Sequence, residues 1–188
     1  MAEWLDRPML IDVRLAPFVA PTLALDGEVE AEPSPFEGTF QQYKLIQSIS
    51  TNHGRLGVMR ETEEIDDVQQ RVSHWQKELP PYFYGKEADR SWDCKCPWLP
   101  LQRALIQCYS EMVKFTPLKP ILTSFPEIVN ADSQRLRELA VETGIRCIST
   151  ATRLHNVLSS IKLSFHFVVF ALFDTATVLC SAVLHDKA

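Results

Sequence analysis

The chain has 188 residues, of which 46% are apolar and 23% charged, and its formal net charge is −5. These fractions are typical of one globular domain and exclude a wholly disordered, collagen-like or coiled-coil chain. Six glycines are few for an all-β protein, and the chain lacks the basic excess of an autonomous nucleic-acid binder. Residues 1–40 hold eight acids and two bases, whereas the remaining 148 residues hold sixteen acids and seventeen bases.

The first 38 residues are predicted to stay outside the helical body. Prolines at 8, 17 and 21 disfavour helix in residues 1–25, which therefore form an extended arm laid over a core. Residues 26–38 are acidic, contain prolines and have no basic residue, as expected of a solvated linker. An acidic activation-type tail is the alternative. The N-terminus has neither a secretory signal nor a transit-peptide pattern.

Two helices are predicted after the linker. The first covers residues 40–49. In the second, apolar residues recur at steps of three and four and end at Pro80-Pro81: Ile65, Val68, Val72, Trp75 and Leu79. A loop over 82–96 follows. It contains Tyr82, Phe83, Tyr84 and Trp92, too many aromatic side chains for full exposure.

Three longer helices are predicted in the rest of the chain. From Pro97, which suits a helix start, apolar steps run to Phe115, until Pro117 and Pro120 break them. Residues 132–161 form the longest periodic pattern, in which Gly144 indicates either close helix packing or a break. Residues 163–184 form the last, apolar helix. The predicted fold class is all-α: a helical bundle over 39–188 with an extended proline-rich N-terminal arm and linker over 1–38.

Residues 163–184 are long enough to span a bilayer. Asp174 lies at the midpoint, where a carboxylate costs about 2.5–3.5 kcal/mol on insertion scales. At 100° per residue, a polar stripe falls within an arc of about 80°: His166, Asp174, Thr177 and Ser181. Such a stripe favours a soluble core helix, whose polar groups find partners inside a bundle, over a single-pass span.

No motif for catalysis, metal binding or phosphate binding stands out. The nucleophile elbow, Walker A, dinucleotide-binding and His-Glu-x-x-His motifs are all missing from the sequence. Cys94 and Cys96 lack the second pair that a zinc site needs, and His166 and Asp174 are two helical turns apart. We therefore predict no catalytic, metal-binding or DNA-binding residues and no cofactor, and the residues that would bind a small molecule stay unassigned.

The five cysteines indicate a reducing compartment. Their number is odd, and Cys108, Cys147 and Cys180 sit in helix-like apolar patterns, as small buried hydrophobic residues do.

Five segments in order resemble the fungal-specific transcription factor domain, the helical middle region of fungal zinc-cluster regulators. Residues 4–17 are similar to the family's Gly-Arg-Pro segment and the extended stretch after it. Residues 72–80 resemble its helix ending in Trp and Leu-Pro, and 105–118 the tyrosine-bearing helix before an Arg-Pro turn. Residues 146–151 resemble the Cys-x-x-Ala-Ala helix, and 167–182 the apolar helix that follows.

Three positions depart from the family pattern. Asp6 replaces the usual glycine, Thr116 stands where the arginine of the Arg-Pro turn is expected, and Thr150 replaces an alanine. The six-cysteine zinc cluster of the family is missing too, so the chain resembles a truncated regulator without its DNA-binding domain.

The resemblance implies a non-enzymatic regulatory module located in the nucleus, or otherwise in the cytoplasm. Helices 97–116, 132–161 and 163–184 would form a bundle that senses a small-molecule effector or contacts other transcription regulators, a paralogous regulator or a second copy. No direct contact with nucleic acid or membrane is expected. Two alternatives stay open: a helical enzyme or accessory protein of a fungal metabolic gene cluster, using loop 82–96 and the His166/Asp174 stripe, and a membrane-associated protein anchored by 163–184.

Overall fold

A computed structural model describes residues 32–50, 62–84, 87–123 and 131–185. Within these ranges the chain forms six α-helices and no β-strand: α1 (Glu37–Ser50), α2 (Thr62–Glu78), α3 (Leu99–Phe115), α4 (Lys119–Thr123), α5 (Ala131–Ser160) and α6 (His166–His185). The predicted all-α class is therefore confirmed. The predicted arm over 1–25 lies outside the described residues, as does the first part of the linker.

The end of the predicted linker is packed against α3 rather than solvated. Glu37 begins α1 two residues earlier than the predicted domain boundary and accepts a 2.7 Å hydrogen bond from Gln41 Nε2. A Cβ atom on Gly38 would stand 3.0 Å from the side chain of Gln102, whose Nε2 donates to the Pro35 carbonyl. The prediction of a solvated linker is wrong for Pro33, Ser34, Glu37 and Gly38, which are buried, because this segment covers the start of α3.

The amphipathic pattern of α2 predicts its buried face correctly. Ile65, Val68, Val72 and Trp75 are buried, and the helix ends just before Pro80-Pro81 as expected. The indole Nε1 of Trp75 donates to the Gln41 carbonyl at 3.0 Å, which ties α2 to α1.

Helix α3 is the central helix of the domain and contacts α1, α2 and α5. It begins at Leu99 rather than at Pro97, and Pro100 is the proline in its first turn, where a missing N–H costs nothing. Helix α3 ends at Phe115, just before Pro117 and Pro120, as predicted, but the two prolines do not end helical structure altogether. They fall within a 3₁₀ turn (Thr116–Leu118) and the first turn of α4, positions at which proline is tolerated.

Helix α5 is continuous through Gly144, so the glycine marks close packing and not a break. A Cβ atom there would approach Leu179 Cδ2 of α6 to 2.9 Å and Phe115 Cε2 of α3 to 3.1 Å. Because Gly144 has no side chain, α3, α5 and α6 can meet closely at this point. The packing between them outweighs the roughly 1 kcal/mol by which glycine disfavours a helix.

A tight cap separates α5 from α6. The Leu163 N–H donates to the Leu158 carbonyl at 2.9 Å and the Lys162 N–H to the Ser159 carbonyl at 3.1 Å, as in a Schellman motif. Lys162 adopts φ 54°, the left-handed conformation for which glycine is usual. The last helix consequently begins at His166, three residues later than predicted.

Among the described elements, α6 packs against α4 and α5, on one of its sides. Val168, Ala171, Thr175 and Ala182 are buried there, and the Thr175 hydroxyl lies 3.8 Å from Met112 Sδ of α3. The described residues cover this inner side as expected of a core helix, and they leave the opposite side uncovered.

Candidate functional site

The loop over 82–96 is held by one buried arginine of α3. Arg103 Nε donates to the Tyr82 carbonyl at 2.6 Å, and its guanidinium binds the Asp93 carboxylate at 2.8 and 3.2 Å. Arg103 Nη2 also donates to the Asp89 carbonyl at 3.4 Å. Because these partners occupy Arg103 inside the protein, it fixes the aromatic loop in place. Sequence patterns did not reveal this role, since Arg103 stands within an ordinary amphipathic helix.

The polar stripe of α6 does not form a cluster. Asp174 turns toward α4 and pairs with Lys119 Nζ at 2.5 Å, with both side chains at least three-quarters buried. His166 and Thr177 are exposed, and the Thr177 hydroxyl donates to the Phe173 carbonyl of its own helix. The structure therefore does not bring the candidate residues of the enzyme hypothesis, His166 and Asp174, together.

A cavity of about 680 Å³ opens between α1 and α2, within the size range of ligand sites. Most of the residues that line it have polar side chains: Gln41, Lys44, Gln47, Ser48, Asp67, Gln70, Arg71, His74, Trp75 and Glu78. Several of these groups already have partners inside the protein, since Arg71 pairs with Asp67 at 2.7 Å and His74 Nε2 lies 3.1 Å from Glu78 Oε1. This groove has the dimensions of an effector site but no convergent set of free polar groups.

The cysteines differ in environment. Cys96 is buried and Cys94 exposed, and the described residues contain no group of His, Cys, Asp and Glu side chains arranged to hold a metal ion. Cys108 of α3 and Cys147 of α5 are buried as predicted, and burial raises the pKa of Cys108 to about 12 and that of Cys147 also well above its usual value. Cys180 is exposed, which contradicts its predicted burial, because it lies on the side of α6 that no described element covers.

The surface with the clearest functional signal is this outer face of α6, formed by Val169, Phe173, Cys180, Val183 and Leu184. Phe173 is 73% exposed, Leu184 70% and Val169 67%. The helix has a single formally charged residue, Asp174, and its carboxylate is turned away toward Lys119. Exposed apolar surface that is continuous along a helix is typical of an interaction site.

The same helix is long and apolar enough to cross a membrane, over His166–Leu184, and 22% of that window is buried in the described structure. Only the composition and the length of the helix indicate a membrane-spanning role. A scan against protein-family models, a search of curated proteins and a search of solved structures each found no match to this chain.

Proposed function

We propose that this protein is a non-enzymatic regulatory module of the transcription-regulator type, which acts through contacts with other proteins and does not itself bind DNA. The observation that carries the proposal is the outer face of α6, whose apolar residues have no partner among the described parts of the chain. The apolar sides of a helix are expected to be covered, and the protein's own described helices cover one of the apolar sides of α6.

The regulatory class comes from the resemblance to the fungal-specific transcription factor domain. Four of its five segments fall at helix contacts: 72–80 at the end of α2, 105–118 in α3 and the turn after it, 146–151 in α5 and 167–182 in α6. These segments carry packing residues, for instance Cys147, which is buried between α5 and α3. Segments made of packing residues are expected in a domain that acts through its folded surface, and not in one that acts through a set of catalytic side chains. By the same resemblance we propose nuclear location and other regulators as partners.

A tethering experiment tests the regulatory role. The full chain is fused to an unrelated DNA-binding domain and directed to a reporter promoter in a fungal cell. We expect a several-fold change in reporter output that Phe173→Glu abolishes and Ile46→Glu, at an exposed site on α1, preserves. Unchanged output with the unmodified chain would contradict the proposal.

A DNA-binding assay tests the second half of the proposal. Purified full chain should bind duplex DNA only at a weak, salt-sensitive background level, because its helical body is close to electrically neutral. Nanomolar, sequence-specific binding at physiological salt would contradict it.

Membrane association is a second candidate, favoured by the length and composition of His166–Leu184. The Lys119–Asp174 ion pair weighs against a transmembrane position, because it ties the middle of α6 to α4. Pelleting with membranes that resists carbonate extraction would favour this candidate over the regulatory module.

The small-molecule effector implied by the resemblance stays a prediction. The groove between α1 and α2 is a cavity of suitable size for it.

A further inference from the structure

The outer face of α6 is arranged as a heptad seam. Residues 166, 169, 173, 176, 180 and 183 follow one another at steps of three, four, three, four and three, the spacing of a and d positions in a two-helix packing. The residues at these positions are His, Val, Phe, Ala, Cys and Val. This seam is separate from the inner side of α6, where Val168, Ala171 and Thr175 are buried against the rest of the domain.

The seam is complementary to a reversed copy of itself. With a two-fold axis level with the peptide bond between residues 174 and 175, Phe173 of one copy lies beside Ala176 of the other. In the same arrangement Val169 meets Cys180 and His166 meets Val183. The largest side chain thus packs against the smallest, which is the requirement for close contact between two helices.

A parallel pair lacks this complementarity. It would place Phe173 against Phe173 and Ala176 against Ala176, so that one layer is crowded and the next leaves a gap. Antiparallel helices also oppose their macrodipoles, which favours that orientation.

The exposed area is near the lower end of what a specific dimer buries. Val169, Phe173, Val183 and Leu184 are 54–73% exposed, which for side chains of this size is roughly 500 Å² per copy, and Val141 and Ile145 of α5 add further exposed apolar surface close to Gly144 in the chain. About 800 Å² per partner is typical of a specific protein–protein interface. A lipid surface fits less well, because the face carries no Lys or Arg with which an interfacial helix binds anionic headgroups.

We propose that the outer face of α6 is the interface of a homodimer, in which the α6 helices of two copies pack antiparallel with Phe173 against Ala176. This inference rests on the proposed function, because both assume that the outer face of α6 contacts a protein. It adds that the protein is a second copy of this chain.

Solution mass and site-specific cross-linking test the dimer with the full chain. Light scattering coupled to gel filtration should give twice the 21.5 kDa chain mass at micromolar concentration. Phe173→Glu should halve that mass while circular dichroism and the urea midpoint show a folded protein, and Ile46→Glu should leave the dimer intact. A monomeric mass for the unmodified chain at all concentrations would overturn the proposal, whether the face is then covered by another segment of the chain or by a different partner.

Cross-linking tests the orientation. In a Cys94→Ser background, Val169→Cys should give a disulfide-linked dimer on mild oxidation, through Cys180 of the second copy, and adding Cys180→Ser should abolish it. Cross-linking by Cys180 alone would show a parallel pair and overturn the antiparallel register. Flotation of the protein with phosphatidylcholine or phosphatidylserine vesicles, lost in Phe173→Glu, would show a lipid occupant and overturn the proposal as well.

The two proposals fail in different ways. If the chain is monomeric but Phe173→Glu still abolishes reporter output in the tethering experiment, the homodimer is wrong and the regulatory contact stands. If the chain is dimeric through α6 but never alters reporter output, the dimer stands and the regulatory function is wrong.

Discussion

The two longest helices, α5 and α6, are joined by residues 161–165 and pack against each other, but their solvent sides differ in chemistry. The exposed side of α5 is mostly polar, with Gln134, Glu138, Thr152 and Asn156 and two apolar exceptions, Val141 and Ile145, whereas that of α6 presents Val169, Phe173 and Leu184. The buried interface with α3 and α6 accounts for most of the apolar residues of α5. On α6 a larger apolar surface is left uncovered by the described residues, and this difference separates residues that hold the domain together from residues that we propose contact a partner.

The largest expected effect comes from a matched pair of leucines, one in each helix. Leu154→Ala in α5 should lower the free energy of unfolding by about 3 kcal/mol, since Leu154 is fully buried and its loss leaves a cavity. Leu184→Ala on the outer face of α6 should change it by less than about 0.5 kcal/mol. Urea unfolding at a protein concentration low enough to keep the chain monomeric measures both. Equal costs would show that the outer face is part of the fold.

The ion pair at the edge of α6 tests how firmly that helix is held. Asp174→Asn should cost about 1–2 kcal/mol of unfolding free energy, because Lys119 keeps its charge in a largely buried site. The double change Lys119→Met with Asp174→Leu removes both charges and should recover most of the loss. A double variant as unstable as Asp174→Asn would contradict this account. Urea unfolding gives the values, and loss of an enzymatic activity in folded Asp174→Asn would instead favour the enzyme hypothesis.

The buried thiol of α3 makes stability depend on alkaline pH. Because burial raises the pKa of Cys108 to about 12, the folded protein keeps this proton while the unfolded chain loses it above about pH 9. The unfolded state then binds fewer protons, so stability falls with a slope of up to about 1.4 kcal/mol per pH unit for each such thiol.

The change that isolates this thiol is Cys108→Ala, which should reduce the fall in unfolding free energy between about pH 9 and 11. Val113→Ala, at a buried position of the same helix, is the control: it should lower stability at every pH without altering the slope. Denaturant unfolding across that pH range measures both, and identical slopes in the two variants would refute the assignment.

The smallest effect is expected at the turn between the two helices. Lys162→Gly should raise the free energy of unfolding by about 0.5–1 kcal/mol, because glycine adopts the left-handed conformation of this cap without steric cost. Lys162→Ala is the control, because it removes the lysine side chain but leaves a Cβ atom in the left-handed conformation. It should raise the free energy of unfolding little. A melting temperature unchanged in Lys162→Gly would contradict the expected strain.

Periodicity predicted most of the helical content. The apolar steps from Ile65 to Leu79 and those of the 132–161 pattern from Leu136 to Leu158 place the right residues in the core, because a 3.6-residue period sorts side chains by face before any partner is known. The last step of that pattern, Ile161, is wrong: it lies beyond the end of α5 and is half exposed. The end of the linker was missed since acidic and proline-rich composition does not reveal that Gly38 fits against Gln102.

The candidate site could be predicted only in part. The sequence marked 163–184 as unusually apolar, with a narrow polar stripe and Asp174 as its one charge. It could not tell a fully covered core helix from an edge helix, because apolar residues fill the circumference outside the stripe and do not show which part of it is covered.

What the sequence determined by itself is the class of the protein: helices whose positions follow from apolar spacing, with no dense charge to bind nucleic acid. Only the tertiary structure decided which side of α6 is covered, that Asp174 pairs with Lys119 and that Gly144 admits Leu179. These are contacts between residues 35 to 55 positions apart, and local propensity carries no information about them because they depend on how whole helices pack.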